Sequence, residues 1–125
     1  MSDLTRRMIT VTMDRPLGAR HPRNPNMIYP VNYGYIEGIM APDGAEQDAY
    51  VLGVDVPLQS FTGELVAVIH RNDDVEEKWI VVPQGMEFSP EEIMAAVHFQ
   101  EQYFDASIRM LDTEKGKSLN ENFSD

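Results

Sequence analysis

Two clusters of carboxylates are the residues best suited to chemistry in this chain. The first occupies residues 43–48, around a Gly-containing turn, and contains Asp43, Glu46 and Asp48. The second occupies residues 73–78, between two strand-like segments, and contains Asp73, Asp74, Glu76, Glu77 and Lys78. Carboxylates this close repel one another, so they are either solvated or neutralised by a bound cation. Mg²⁺ is usually held by one or two carboxylates together with phosphate oxygens. The clusters therefore indicate either two solvated loops or a Mg²⁺ site.

Three tyrosines form a further group in the segment Tyr29-Pro-Val-Asn-Tyr-Gly-Tyr35. Tyrosines in such a segment most often serve packing, and Pro30 and Gly34 favour an edge strand or a bulge. A phenol O–H beside a metal and a phosphate can also donate a hydrogen bond to a phosphoryl oxygen. Both interpretations stay open at this stage.

Three cations are candidates for binding an anion. Lys78 ends the second acidic cluster, and Arg20 and Arg23 lie in a Pro- and Asn-rich segment ahead of the tyrosines. Each is either a solvated charge at a loop or strand end, or a phosphate ligand.

Composition narrows the classes of function. The chain has 125 residues, 10 basic and 21 acidic side chains, a net charge of −11 and no Cys. Such an acidic chain argues against binding to nucleic acid or an anionic membrane, and the lack of Cys excludes disulfides and thiolate chemistry. No Gly-x-Ser-x-Gly or phosphate-binding Gly-rich motif occurs. We expect a cytoplasmic protein with a single domain over residues 1–125, in which residues 112–125 form a flexible tail.

Short β-type segments fill the first two thirds of the chain, and one helix follows. The strand candidates are Met8–Met13, Met27–Ile36, Ala49–Val54, Glu64–His70 and Trp79–Val82. The residues from His21 to Asn26 indicate an irregular loop. Ser89-Pro90-Glu91-Glu92 is a helix start, and the apolar spacing predicts a helix to about Phe104. This pattern predicts a mainly β, α+β protein in which a helix packs on a small sheet or closed barrel.

In order and spacing, these segments resemble the family I soluble inorganic pyrophosphatases. The resemblance runs from about Val11 to Tyr103. It rests on Tyr29-Pro-Val-Asn-Tyr-Gly-Tyr-Ile36, on Asp43-Gly44 followed by Asp48, and on the acidic loop ending in Lys78 with the Ile-Val-Val-Pro83 run. It implies a small closed OB-type β-barrel of about five strands with a C-terminal helix packed on it. It also implies Mg²⁺-dependent hydrolysis of pyrophosphate to two phosphates by a metal-activated water.

The resemblance also assigns roles to residues. Those that match its metal ligands are Asp43, Asp48, Asp73, Asp74 and Glu76. Those that match its substrate-binding side chains are Tyr29, Tyr33, Lys78 and Tyr103, with Arg20 and Arg23 in place of a Lys and an Arg. Tyr33 and Lys78 would take part in catalysis as well. Family members form dimers or hexamers, so a homo-oligomer is possible.

Two departures from the family pattern put the substrate and the chemistry in question. Ala45 stands where the signature Asp-Gly-Asp-Pro-x-Asp has the aspartate often assigned as the general base, so we expect Glu46 or Glu76 to take that role. Phe104 stands where a phosphate-binding Lys is usual. The alternatives are therefore a related phosphohydrolase acting on another phosphate ester or a nucleotide, and a non-catalytic module that binds pyrophosphate or a nucleotide.

Overall fold

A computed structural model describes residues 5–73 and 76–112 of the chain. Within these residues lie β1 (Arg7–Arg15), β2 (Arg20–His21), β3 (Asn24–Ile28), β4 (Asn32–Met40), β5 (Glu46–Val51), β6 (Ser60–Arg71), β7 (Glu77–Val82), α1 (Pro90–Glu101) and β8 (Ala106–Met110).

Five of the strands close into a barrel. The hydrogen-bonded order β1-β4-β5-β7-β6 returns to its start because β6 also pairs with β1. Neighbouring strands run antiparallel except β5 and β7, which run parallel. β8 extends the sheet from β6 outside the closed ring. Closure removes the free edges of so small a sheet, which confirms the predicted closed barrel.

Apolar side chains divide between the barrel interior and its outer face. The interior cluster draws on every barrel strand and on no helical residue; it includes Ile9, Val11, Met13, Ile36, Ala49, Val51, Leu65, Trp79 and Val81. The outer cluster includes Tyr50 and Ile80 together with Ile93 and Val97 of α1. Because successive side chains of a strand point to opposite faces, strands covered on both sides form continuous apolar runs. Trp79–Val82 is such a run.

Helix α1 begins where the sequence predicts and ends earlier. The Ser89 side chain accepts from the Glu92 N–H, and the Glu92 carboxylate accepts from the Ser89 N–H, which completes a capping box ahead of Pro90. The helix ends at Glu101 rather than about Phe104, because Phe104 N–H donates to the Glu101 carbonyl in a tighter turn. Within the described residues, no helix is long and apolar enough to cross a membrane.

Other segments also differ from the sequence-based expectation. The segment from His21 to Asn26, predicted as a loop, takes part in the hairpin of β2 and β3. Strand β8 was not predicted, because its five residues alternate only between half-buried and exposed positions. The strand candidate Met27–Ile36 is divided at Pro30 into the end of β3 and most of β4. Beyond Asp112, the predicted tail lies outside the described residues.

Gly34 provides a test of the barrel seam between β1 and β4. Gly34 pairs with Met13, and a Cβ at position 34 would collide with the Thr12 carbonyl oxygen and lie 2.7 Å from the Met13 Cα. We expect Gly34→Ala to lower the free energy of unfolding by about 3 kcal/mol, because backbone rather than a flexible side chain must move.

Gly38→Ala in the same strand is the matched control. Gly38 has φ +85° and open space around the added Cβ, so its substitution should cost only about 1 kcal/mol. Urea unfolding of both variants gives the comparison, and equal losses would contradict the close approach at Gly34.

Candidate functional site

A cavity of about 360 Å³ opens where the end of α1 meets the outer face of the barrel. Its volume falls in the range of small-molecule sites. The polar side chains that line it include the cations Arg15, Arg71 and Lys78 and the carboxylates Asp48 and Glu76. Aromatic lining comes from Tyr33, Tyr103 and Phe104.

The Lys78 ammonium is buried at the pocket wall and bound by three side chains. Lys78 is 3% exposed, and its Nζ lies 2.7 Å from the Asp48 carboxylate and 2.8 Å from the Glu76 carboxylate. Its third hydrogen bond, at 2.9 Å, goes to the Tyr33 hydroxyl. An ammonium has three donors, so all of them are used. The parallel register, in which Ala49 faces Trp79, brings Asp48 next to Lys78.

Protonation of this group is fixed by its surroundings. Burial alone would lower the pKa of Lys78, but Tyr33, Asp48 and Glu76 raise it above its ordinary value. Burial raises the pKa of the Tyr33 phenol, and the nearby Lys78 opposes that change only in part. Lys78 is therefore a cation and Tyr33 an O–H donor at any physiological pH.

Arg71 anchors a second buried ion pair behind the first. Its Nε and Nη2 donate to the two oxygens of Glu101 at 3.0 and 2.8 Å, and its Nη1 donates to Glu76 at 2.9 Å. The Arg71 and Glu101 side chains are 6% and 2% exposed. The guanidinium carbon also lies 3.6 Å from the centre of the Phe104 ring. This bidentate geometry fixes the last turn of α1 against β6.

Buried polar side chains continue from this pair across the site. The Tyr50 hydroxyl donates to Glu101 and accepts from the Gln100 amide, at 2.7 and 2.6 Å. The Gln100 oxygen accepts from the Tyr29 hydroxyl, which in turn accepts from Arg15, both at 2.7 Å. Tyr29 therefore lies behind the pocket wall, completely buried.

Arg15 differs from the other two pocket cations. No carboxylate among the described residues lies within ion-pair distance of its guanidinium, which is bonded to the Tyr29 hydroxyl. Its carbon lies 5.7 and 5.8 Å from the ring centres of Tyr29 and Tyr33. Arg15 is thus a pocket cation without a direct ion pair in the described structure, and the acid that acts on its charge from farther away is Asp14.

Sequence reasoning did not single out Arg15, Arg71, Gln100 or Glu101. For Glu101 a signal existed: it follows Ile93 and Val97 on the buried face of the helix, where an unpaired carboxylate is unfavourable. For Arg15 and Arg71 no local pattern distinguishes a pocket residue from a charge at a strand end.

The structure brings together part of the predicted site. The predicted residues that line the pocket are Tyr33, Asp48, Glu76, Lys78 and Tyr103. Arg20, Arg23, Asp43, Glu46 and Asp73 are exposed and do not line it. The Arg20 guanidinium donates to the Pro25 carbonyl at 2.8 Å. Asp74 lies outside the described residues.

The first acidic cluster is divided by its own turn. The Asp43 carboxylate accepts from the N–H of Ala45 at 3.1 Å, which closes a local turn. The Glu46 carboxylate accepts from the Gly38 N–H at 3.3 Å. Only Asp48 of this cluster reaches the pocket, because it follows two residues later on β5.

The described pocket residues could supply two of the ligands of a Mg²⁺ ion. In the described ranges, no group of three or more acidic or His side chains is arranged to hold a metal ion. Asp48 and Glu76 do converge on one cation, the Lys78 ammonium. Two carboxylates are enough for a Mg²⁺ ion whose other ligands are phosphate oxygens and water. The pair therefore fits Mg²⁺ that arrives with a phosphate compound, provided that Lys78 gives up these contacts.

The buried Arg71–Glu101 pair can be tested by removing one charge. We expect Glu101→Gln to lower the free energy of unfolding by about 3 kcal/mol, because it leaves a buried guanidinium without a full counter-charge. The control is Glu87→Gln, since Glu87 pairs with Arg6 at 3.5 Å and its side chain is 73% exposed. That change should stay within about 0.5 kcal/mol. Similar denaturant midpoints for the two variants would contradict the role of the buried pair.

Solved structures with a similar fold are inorganic pyrophosphatases. The enzyme from Ehrlichia chaffeensis aligns over 94% of each chain with a TM-score of 0.65 and 19% identity. The enzyme from Helicobacter pylori aligns over 97% of this chain and 96% of its own, with a TM-score of 0.57 and 18% identity. The enzyme from Coxiella burnetii aligns over 94% and 91%, with a TM-score of 0.57 and 18% identity.

No protein-family model matches the chain, and no curated protein matches it. At 18–19% identity, the likeness concerns the arrangement of the backbone. The chain therefore shares the fold of inorganic pyrophosphatases.

Proposed function

We propose that this chain binds pyrophosphate in the pocket and hydrolyses it to two phosphates with the help of Mg²⁺. One observation carries the proposal: the buried Lys78 ammonium is held by Asp48, Glu76 and Tyr33 at the wall of a small-molecule pocket. The fold shared with inorganic pyrophosphatases supports the same substrate.

Lys78, Tyr33 and Arg15 are the donors that would bind phosphate. Lys78 and Tyr33 keep their protons, and no described carboxylate forms a direct ion pair with the Arg15 guanidinium. Such charge-assisted donors favour phosphate oxygens. Tyr103 would complete the contact from the turn after α1. Arg20 and Arg23, which flank the pocket residue His21, would act as outer contacts.

Asp48 and Glu76 would hold Mg²⁺ once Lys78 turns from them to the phosphate. When bound, the ion neutralises phosphate charge and lowers the pKa of a bound water. Asp43, Asp73 and Asp74 are proposed as further ligands from the sequence resemblance. Because Lys78 competes for the same carboxylates, the pocket residues favour binding of metal and substrate together.

Hydrolysis by water calls for a carboxylate in the pocket that can act as the general base. Ala45 offers no side chain for it, and Glu46 does not line the pocket. Glu76 lines the pocket and is the preferred candidate.

Phosphate release from pyrophosphate tests the proposal directly. We expect turnover that requires Mg²⁺, and we expect Asp48→Asn to lower kcat/KM by about 100-fold because it removes a charge from the cation position. Asp55→Asn, an exposed substitution of the same type outside the pocket, should leave the rate unchanged. Tight binding of pyrophosphate without turnover would instead support the non-catalytic module. Absence of both would refute the proposed substrate.

The exchange at Lys78 predicts coupled binding. We expect the non-hydrolysable analogue methylenediphosphonate to raise Mg²⁺ affinity about tenfold, and Mg²⁺ to raise the affinity for the analogue by the same factor. Lys78→Gln removes the ammonium that pairs with Asp48 and Glu76, so Mg²⁺ alone should bind more tightly and the coupling should fall. Calorimetric titration measures both. Tight Mg²⁺ binding that neither the analogue nor the variant changes would contradict competition by Lys78.

A further inference from the structure

The pocket wall is charged at Lys78 and aromatic near the end of α1. Lys78 contacts Glu76, Glu76 contacts Arg71, and the Arg71 guanidinium lies against the Phe104 ring. The wall therefore leads from a phosphate-binding end to an aromatic end. Tyr103 lies beside Phe104 in sequence and also lines the pocket.

The aromatic end has exposed ring faces, and these offer a phosphate group no hydrogen-bond donor. Tyr103 is 65% exposed and Phe104 is 38% exposed. Phosphate oxygens gain binding energy from donors and cations, and gain nothing from contact with a phenyl ring. A planar organic group, in contrast, stacks on such rings with little regard to its identity.

Phe104 is held in place before any ligand arrives. Its N–H donates to the Glu101 carbonyl at 3.0 Å, and Arg71 lies 3.6 Å from its ring centre. Arg71 is itself held by both oxygens of Glu101. A ring fixed in this way loses little conformational freedom when a ligand stacks on it.

The pairing of the pocket cations also favours a ligand that uses the aromatic end. Arg71 and Lys78 are already paired with carboxylates, and of the pocket cations in the described ranges only Arg15 has no carboxylate within ion-pair distance. The positive charge that is left unpaired at the polar end is therefore better matched to one phosphate group than to two highly charged ones. A second source of affinity is needed, and the aromatic end offers it.

We propose that the preferred substrates are phosphoanhydrides that carry a planar organic group, the class to which nucleoside diphosphates belong. The terminal phosphate binds at Lys78, Tyr33 and Arg15, and the planar group packs on Tyr103 and Phe104. This rests on the proposed phosphoanhydride hydrolysis. Water adds its oxygen to the terminal phosphorus, the bond from that phosphorus to the bridging oxygen breaks, and the organic monophosphate leaves with that oxygen while a proton passes to solvent.

Calorimetric titration with two non-hydrolysable probes tests the inference. The probes are α,β-methylene adenosine diphosphate and methylenediphosphonate, each with Mg²⁺. We expect the adenosine compound to bind about tenfold more tightly, from stacking on the aromatic end. Phe104→Leu should remove most of that advantage. Tyr103→Leu, a largely exposed substitution that spares the fold, should reduce it, and Met40→Leu, also exposed and outside the pocket, should not change it.

The outcomes separate the two proposals. Equal binding of the probes, with ratios that neither pocket variant changes, overturns the organic-group inference. If pyrophosphate is also hydrolysed in that case, the proposed function stands without it. Binding of neither probe overturns both. Tighter binding of the adenosine compound, lost in either pocket variant, supports the inference.

Discussion

Two cations buried at one face of a small barrel determine how this molecule is arranged. A buried ammonium or guanidinium is tolerated only when its donors are satisfied and its charge is matched. Lys78 meets this condition with Asp48, Glu76 and Tyr33, and Arg71 meets it with Glu76 and Glu101. Glu76 serves both. Strands β4, β5, β6 and β7 and the end of α1 must therefore keep their mutual positions for either charge to remain buried.

The same requirement connects the helix to the pocket. Gln100 lies between two tyrosine hydroxyls, accepting from Tyr29 and donating to Tyr50. Through these bonds Arg15 on β1 is linked to Glu101 on α1. Such a connected network, with its polar atoms satisfied, favours one arrangement over alternatives, because breaking any bond leaves a buried group without a partner. The buried hydrogen bonds behind the pocket wall therefore fix the orientation of the side chains that line the pocket.

Features of the fold and the site can be predicted from the sequence where they depend on residues close together in the chain. The capping box at Ser89, the buried strand at Trp79–Val82 and the closed barrel follow from short-range patterns and from the resemblance, and the structure agrees. Four residues that the resemblance assigned to the site line one pocket: Tyr33, Asp48, Glu76 and Lys78. The roles of Arg15 and Arg71 could not be predicted, since a strand-end arginine acquires its partners only when distant elements pack. The β2–β3 hairpin and β8 lack the strong apolar alternation that identifies a strand.

The parallel pairing of β5 and β7 has a consequence for the order of events during folding. Asp48 and Lys78 are thirty residues apart, and the strands that carry them align only after the intervening chain, including β6, has crossed between them. Contacts of long sequence separation form slowly, because loop closure must precede any gain from pairing. The ion pair at the centre of the pocket thus cannot form before β7 has joined the sheet. A ribosome-bound chain that ends before β7 would have Tyr33 and Asp48 but would lack Lys78 and Tyr103, and so would have no site.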